Sequence, residues 1–225
     1  MTIENKVWYL RRNRLFERVG EDVLHGCLHF FTVTRRPVRT ELFDQGADAG
    51  TVYFLKEGRV RLSRITEGGK GITIAVLGPG DVFGEEGLFG TAERTTIATV
   101  IDDALVCTSS AEDLLSLMGR QPVLALNMAR YFQEQRDEAV SMLEEMAYLK
   151  VPERLVKLLE RLAHEHGVVE DGGVRIGLRL TQTDIASLVG STRETISVEL
   201  TKLTNAKRLI VRDREFFLPN ATVSG

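Results

Sequence analysis

The stretch LTQTDIASLVGSTRETIS, Leu180 to Ser197, reads as two short helices joined by a glycine. Thr181-Gln-Thr-Asp184 has the capping-box spacing, in which hydroxyl and carboxylate each bond the other's backbone N–H and so open a helix. Behind it Ile185, Ala186, Leu188 and Val189 form an inward face, and Gly190 supplies the turn. Ser191 or Thr192 can cap the second helix, whose buried stripe is Ile196, Leu200 and Leu203. The small Ala186 lets the pair approach closely, and the whole has the helix-turn-helix pattern. Its second helix is then expected in the major groove of double-stranded DNA. Arg193 can donate to guanine, Glu194 can accept from cytosine amino groups, and Ser197 can do either. Thr181, Thr183, Thr192, Thr195 and Lys202 are candidates for phosphate contacts, which position a domain without reading sequence. The plainer alternative is that Glu194 closes a capping box with Ser191 and Arg193 is a solvated charge.

The flanks favour the first reading. VRIGLRL (Val174–Leu180) precedes the motif as a strand, and LIVRDREFFL (Leu209–Leu218) follows it as a hairpin turning at Asp213 and Arg214. Together these make a winged helix-turn-helix. Upstream, Glu153 to His166 is a helix, and Pro152 marks a break before it. Before the break, Ala125, Met128, Phe132, Gln135, Ala139, Met142, Met146 and Leu149 repeat at alternating spacings of three and four, a heptad seam. A helix of ~27 residues runs roughly 40 Å, more than a small β domain needs, so the seam is expected to join two copies of the chain. The alternative is that it packs only on its own β domain. Gln135, in mid-seam, needs a partner, which its symmetry mate or a ligand can supply.

From about Val38 to Thr108, short apolar runs (TVYFL, RVRLS, ITIAVL, TTIATV, ALVCT) alternate with glycine turns, as in stacked antiparallel hairpins closing into a roll. A polar helix candidate precedes them. The expected architecture is therefore α+β, with residues 1–121 as a β-roll with flanking helices, 122–151 as a dimerisation helix and hinge, and 152–225 as the DNA-binding domain. A chain of 225 residues, 43% apolar and 27% charged, with no apolar run that could span a bilayer, fits a cytoplasmic protein without membrane partners. The net charge of −3 divides into +2 over residues 150–225 and −5 over the rest, too little to argue nucleic-acid binding without the motif.

Metal and enzyme chemistry find little support. Cys27 and Cys107 match no zinc or cluster spacing and read as buried thiols; an iron-sulfur centre needs four ligands. His164 and His166, two apart on a helix, point to different sides. His25 and His29 share a presumed helical face but have no third ligand, so neither a metal site nor haem is expected. No histidine lies in the strands between Val52 and Val106, as a cupin-type metalloenzyme would need, and no nucleophile, base and orienter constellation appears.

The full layout resembles the family of the cyclic-AMP receptor protein and the fumarate and nitrate reductase regulator (CRP/FNR). The resemblance rests on the glycine-punctuated roll, on GPGDVFGEEGLFGTAERTTIATV at Gly78–Val100, on the long helix and on Leu180–Ser197. It implies a homodimeric transcription factor, an activator by expectation, that binds a near-palindromic operator and contacts RNA polymerase. It also implies a cyclic-nucleotide-binding-type roll in which Gly84 and Glu85 face a ribose, and Arg94 and Thr95 a phosphate; Arg94 can pair with that anion and the Thr95 hydroxyl can donate to it. Cyclic AMP, another small effector, or activity without one are all compatible with this pattern, because FGE and RT also occur in relatives that bind no nucleotide. Where the cyclic-AMP branch carries a Thr-Ser pair for adenine, this chain has Gln135 and Arg136, or Ala139 and Val140; only the first pair can hydrogen-bond a base. Where most relatives carry a second base-reading arginine, it has Val198, which can meet a thymine methyl. The competing reading is a cyclic-nucleotide-binding regulatory module acting through protein contacts.

Overall fold

Two long strands, β3 (Thr51–Ile65) and β6 (Ile97–Ser110), form the spine of the N-terminal part. The computed structural model describes residues 10–11, 13–69, 71–178, 180–212 and 215–219, and it divides into two units, Met1–Glu138 and Ala139–Gly225. In the first unit β3 and β6 pair antiparallel, with β1 (Thr32–Arg36) and β2 (Glu41–Phe43) on β6, and β4 (Gly71–Leu77) and β5 (Val82–Phe83) on β3. The β3–β6 register slips three times between Leu55 and Val60. Gly58 lies in that region at φ 81°, and a Cβ there would fall 2.2 Å from the Asp103 carbonyl oxygen. Such bulges bend a strand and add twist, which is how a flat ladder becomes a roll. β1 begins earlier than the sequence reading has it. TVTRR shows no apolar alternation, and it is held as an edge strand by pairing from Thr32 to Thr108.

Successive residues of β3 face opposite sides. Leu55 and Val60 join Phe43, Phe83, Val100 and Val106 in one core. Val52 and Phe54 join the other, which helices cover. There Phe54 meets Phe31 edge-on at 5.7 Å and Phe16 at 6.0 Å. The covering elements are helix α1 (Glu21–Cys27), 3-10 turns on either side of it, and helix α2 (Ala111–Arg120), whose first turn is capped by Ser110 accepting from the Asp113 N–H at 3.0 Å. Cys27 and Cys107 are both buried and form no disulfide, and burial pushes the Cys27 thiol up.

The long helix α3 (Pro122–Tyr148) begins on this core, with Leu124, Asn127, Met128 and Tyr131 buried. This corrects the seam as read from sequence: Met128 is 4% exposed and packs within its own chain, and Ala125 is exposed. Residues three and four apart share one helix face, so the same spacing serves a roll or a partner, and only the first turns are committed to the roll. Phe132 is half-buried, edge-on to Phe89 at 5.4 Å. Beyond it Ala139 is exposed, Met142 and Leu149 are half-buried, and Met146 is 44% exposed. Val140 and Leu143, outside the predicted seam, are exposed too. No described helix is long and apolar enough to cross a membrane.

The second unit holds α4 (Val151–His166), α5 (Gln182–Val189) and α6 (Arg193–Asn205), with a four-stranded antiparallel sheet in the order β7-β8-β10-β9. These strands are β7 (Gly167–Glu170), β8 (Gly173–Ile176), β9 (Ile210–Arg212) and β10 (Glu215–Pro219). Asp213 and Arg214, the predicted wing turn, lie outside the described residues. β7 escapes the sequence reading because GVVE is mostly exposed; its pairing with β8 makes it a strand. Pro152 sits in the first turn of α4, where a missing N–H costs nothing.

Lys56 is a half-buried cation of the roll. Burial pushes the Lys56 ammonium down from 10.5 to about 8. The folded chain therefore releases that proton before the unfolded chain does, and the Lys56 contribution to stability rises with pH between about 8 and 10.5. Urea unfolding at pH 7.5 and pH 9.5 is expected to show wild type gaining on Lys56→Met by about 2 kcal/mol over that step. An unchanged difference between the two proteins would reject the shift.

Candidate functional site

Helix α5 starts at Thr181, whose hydroxyl oxygen accepts from the Asp184 N–H at 3.1 Å and donates to the Asp184 carboxylate at 2.6 Å. That carboxylate also accepts from the Thr181 N–H at 2.9 Å, closing the capping box. The helix ends at Gly190 in the left-handed conformation, φ 66° and ψ 52°. The Ser191 N–H returns to the Ala186 carbonyl at 2.8 Å, a closure of the Schellman kind. A Cβ at Gly190 would lie 2.9 Å from the methyl at the end of the flexible Met146 side chain, which can shift, so it is the left-handed φ that requires glycine. Of the two caps open to α6, Thr192 is used, accepting from the Thr195 N–H at 3.2 Å. Glu194 therefore does not close a box with Ser191.

This arrangement leaves Arg193 and Glu194 exposed on the first turn of α6, with Val198 54% exposed one turn on and Ser197 half-buried. Ile196 and Leu200 face inward. Thr183 and Lys202 are exposed, with the Lys202 ammonium 2.7 Å from Glu199. The hydroxyls of Thr181, Thr192 and Thr195 are occupied with capping or with each other. One residue the sequence reading missed is Arg154. It donates to the carbonyls of Val189 at 2.8 Å, Gly190 at 3.2 Å and Leu149 at 2.8 Å, and so satisfies the C-terminal end of α5. The available signal was an arginine in the first turn of a helix, against the macrodipole.

In the roll, Gly84 and Arg94 come together. The Arg94 guanidinium is buried over the Phe43 ring, 4.4 Å from its centroid, and donates to the Gly84 carbonyl at 2.6 Å. Gly84 has φ 69°, and a Cβ there would lie 2.8 Å from Arg94 Nη1, so glycine admits the guanidinium. Arg94 pairs with Glu86 at 3.0 Å, and Thr95 also reaches Glu86 through its hydroxyl. Burial, with Glu86 adding, lifts the Glu85 carboxyl above its ordinary range. Tyr131 of α3 donates to the Val82 carbonyl at 3.0 Å and accepts from the Val82 N–H at 3.3 Å, fixing the strand just ahead of Gly84. Asn127 ties the same helix to the carbonyls of Leu15 and Glu17. Neither polar anchor was singled out in the sequence; the hint was two polar side chains on the face that carries Leu124 and Met128. Gln135 bonds Glu138 and Arg136 bonds Asp137, along their own helix. Among the described residues no hydrogen bond joins either to the roll cluster. His25 lies in α1 and His29 in the following 3-10 turn, against Phe30, rather than on one continuous helix.

Residues 36–121 match the family described as Cyclic nucleotide-binding domain, and residues 153–222 the Crp-like helix-turn-helix domain. The chain is 30% identical over 159 residues to a CRP-like cAMP-activated global transcriptional regulator of Mycobacterium tuberculosis, covering 71% of each. It is 28% identical over 208 residues to a global nitrogen regulator of Synechocystis, covering 92% of this chain and 90% of the relative. Among solved structures it superposes on the c-di-GMP responsive global regulator CLP of Xanthomonas campestris with a TM-score of 0.77 at 24% identity, over 89% of this chain and all of the other.

Proposed function

Because the chain belongs to the CRP/FNR family of transcription regulators, we propose that it works as a homodimer on a near-palindromic operator and acts there on RNA polymerase. The observation that carries the proposal is the exposed first turn of α6, with Arg193, Glu194 and Val198 presented over a capped and tightly turned α5. Two copies related by a two-fold axis would read two half-sites. The outward apolar residues of α3 past Phe132, including Val140, Leu143 and Met146, support the pairing of copies. Arg193 and Glu194 supply polar readout, Ser197 a minor contact, and Val198 a methyl-sized apolar one. Thr183 and Lys202 stand on the phosphate backbone, while Thr181, Thr192 and Thr195 act through the helix starts they cap. Gly84, Glu85, Arg94 and Thr95 form the effector cluster, in the position where a cyclic nucleotide such as cyclic AMP would sit. Control by a small effector at that cluster, or activity without one, and a cytoplasmic setting complete this reading.

Selection from a randomised duplex pool at two salt concentrations tests it. The expected result is an inverted repeat with strong salt dependence, in which the base pair facing Val198 favours a thymine methyl over guanine. No enriched sequence and no salt slope would sink the DNA reading and favour a regulatory module that works through protein contacts.

A further inference from the structure

A carboxylate already sits where the effector's anion would go. Glu86 places Oε2 3.0 Å from Arg94 Nη1, and Oε1 3.3 Å from the Thr95 hydroxyl and 3.4 Å from the Thr95 N–H. Those are the guanidinium, hydroxyl and amide that a phosphodiester would need. The pair is withdrawn from water, with the Arg94 side chain 1% exposed and that of Glu86 16%. The turn that presents Glu86 is seated closely, since a Cβ on Gly87 would fall 2.3 Å from the Ala49 carbonyl oxygen. Arg64 donates to the Thr95 carbonyl at 3.1 Å, bracing the strand end that carries the hydroxyl. Arg94 Nε is buried with no partner, a donor that the two-oxygen carboxylate leaves unmet.

We propose that Glu86 is a built-in anion that fills the Arg94–Thr95 clamp in place of a phosphodiester, so that this chain binds its operator without a cyclic nucleotide and excludes one. A phosphodiester monoanion entering the clamp would face Glu86 at like charge, with Glu85 beside it. It could bind only by expelling Glu86 from a desolvated ion pair, and separating such a pair leaves an uncompensated charge. The inference rests on the reading of this cluster as the effector site, and the experiment separates the two.

Calorimetry with cyclic AMP and with inorganic phosphate, on the full chain and on Glu86→Leu and Glu86→Gln, reads the clamp directly. Operator binding with and without cyclic AMP reads the consequence. Wild type is expected to give no saturable heat at millimolar cyclic AMP, and the same operator affinity with or without it. Both variants should gain cyclic AMP binding by on the order of tenfold or more, the scale of one charge-assisted hydrogen bond, and Arg94→Ala added to either should remove the gain. Glu86→Gln keeps the size of the side chain, so a folding defect in Glu86→Leu does not end the test. Phosphate binding without cyclic AMP in the variants would confirm the clamp as an anion site that the nucleotide does not fit, and would overturn the idea that Glu86 is what excludes it. Cyclic AMP binding by wild type as tight as by the variants, or no gain in either variant, overturns the inference. Operator binding by wild type that requires cyclic AMP also overturns it while leaving the proposed function intact; no operator binding under either condition sinks the proposed function instead.

Discussion

Arg193→Ala is expected to lose affinity for the selected operator by roughly 1 to 3 kcal/mol per half-site, the range for one bidentate guanine contact. In the proposed dimer the loss is taken twice. Arg193 is exposed on the first turn of α6, and the cap of that helix belongs to Thr192, so truncation removes the proposed reader without unmaking the helix. Binding to unrelated duplex should be nearly unchanged, and the operator's salt slope should shift by no more than about one phosphate contact. Competition binding against a pool of duplexes measures both quantities. Equal operator affinity in wild type and variant would remove Arg193 from the readout.

Phe54→Ala is expected to cost about 3 to 5 kcal/mol of stability, the range for deleting a fully buried phenylalanine. Phe54 is 0% exposed, and its ring is shared between Phe16, Phe31 and the face of β3. The deletion therefore opens a cavity among large rings, each already in contact with others, and such a site collapses poorly. A domain is typically stable by only 5–15 kcal/mol, so the first unit should unfold at a clearly lower urea concentration. Chemical denaturation followed by near-ultraviolet dichroism checks this, and a loss below about 1 kcal/mol would mean that the cluster relaxes around the gap.

The helix-turn-helix was legible because its determinants are local. A hydroxyl and a carboxylate three residues apart, a glycine, and apolar residues at helical spacing decide it within a few turns of chain. The choice of Thr192 over Ser191 as a cap needed coordinates, because either hydroxyl satisfies the pattern. β1 and β7 were hidden for the opposite reason: TVTRR and GVVE carry little burial pattern, and their state is set by partners 76 and 7 residues away, Thr32 to Thr108 and Val168 to Arg175 among them. Met128 packs on its own roll rather than being left for a second copy, because heptad spacing states which residues share a side of a helix, but not what lies opposite. At the effector cluster, the resemblance led to Glu85, the residue after Gly84. The pairing of its neighbour Glu86 with Arg94 is a separate feature that the resemblance does not carry, and it depends on how a four-residue 3-10 turn, Glu86–Phe89, points its first side chain.

In the proposed homodimer, the division of labour along α3 also makes assembly a matter of mass action. Its first three turns are anchored through Leu124, Asn127, Met128 and Tyr131, whereas from Gln133 to Glu144 only Gln135 and Met142 are even half-covered within the chain. Isolated helix in water is marginal at that length, so in the proposed homodimer the integrity of this middle stretch would be set by how often the second copy lies against it. A shortage of the protein would then thin out the proposed dimer and fray this stretch together, giving operator binding a threshold abundance.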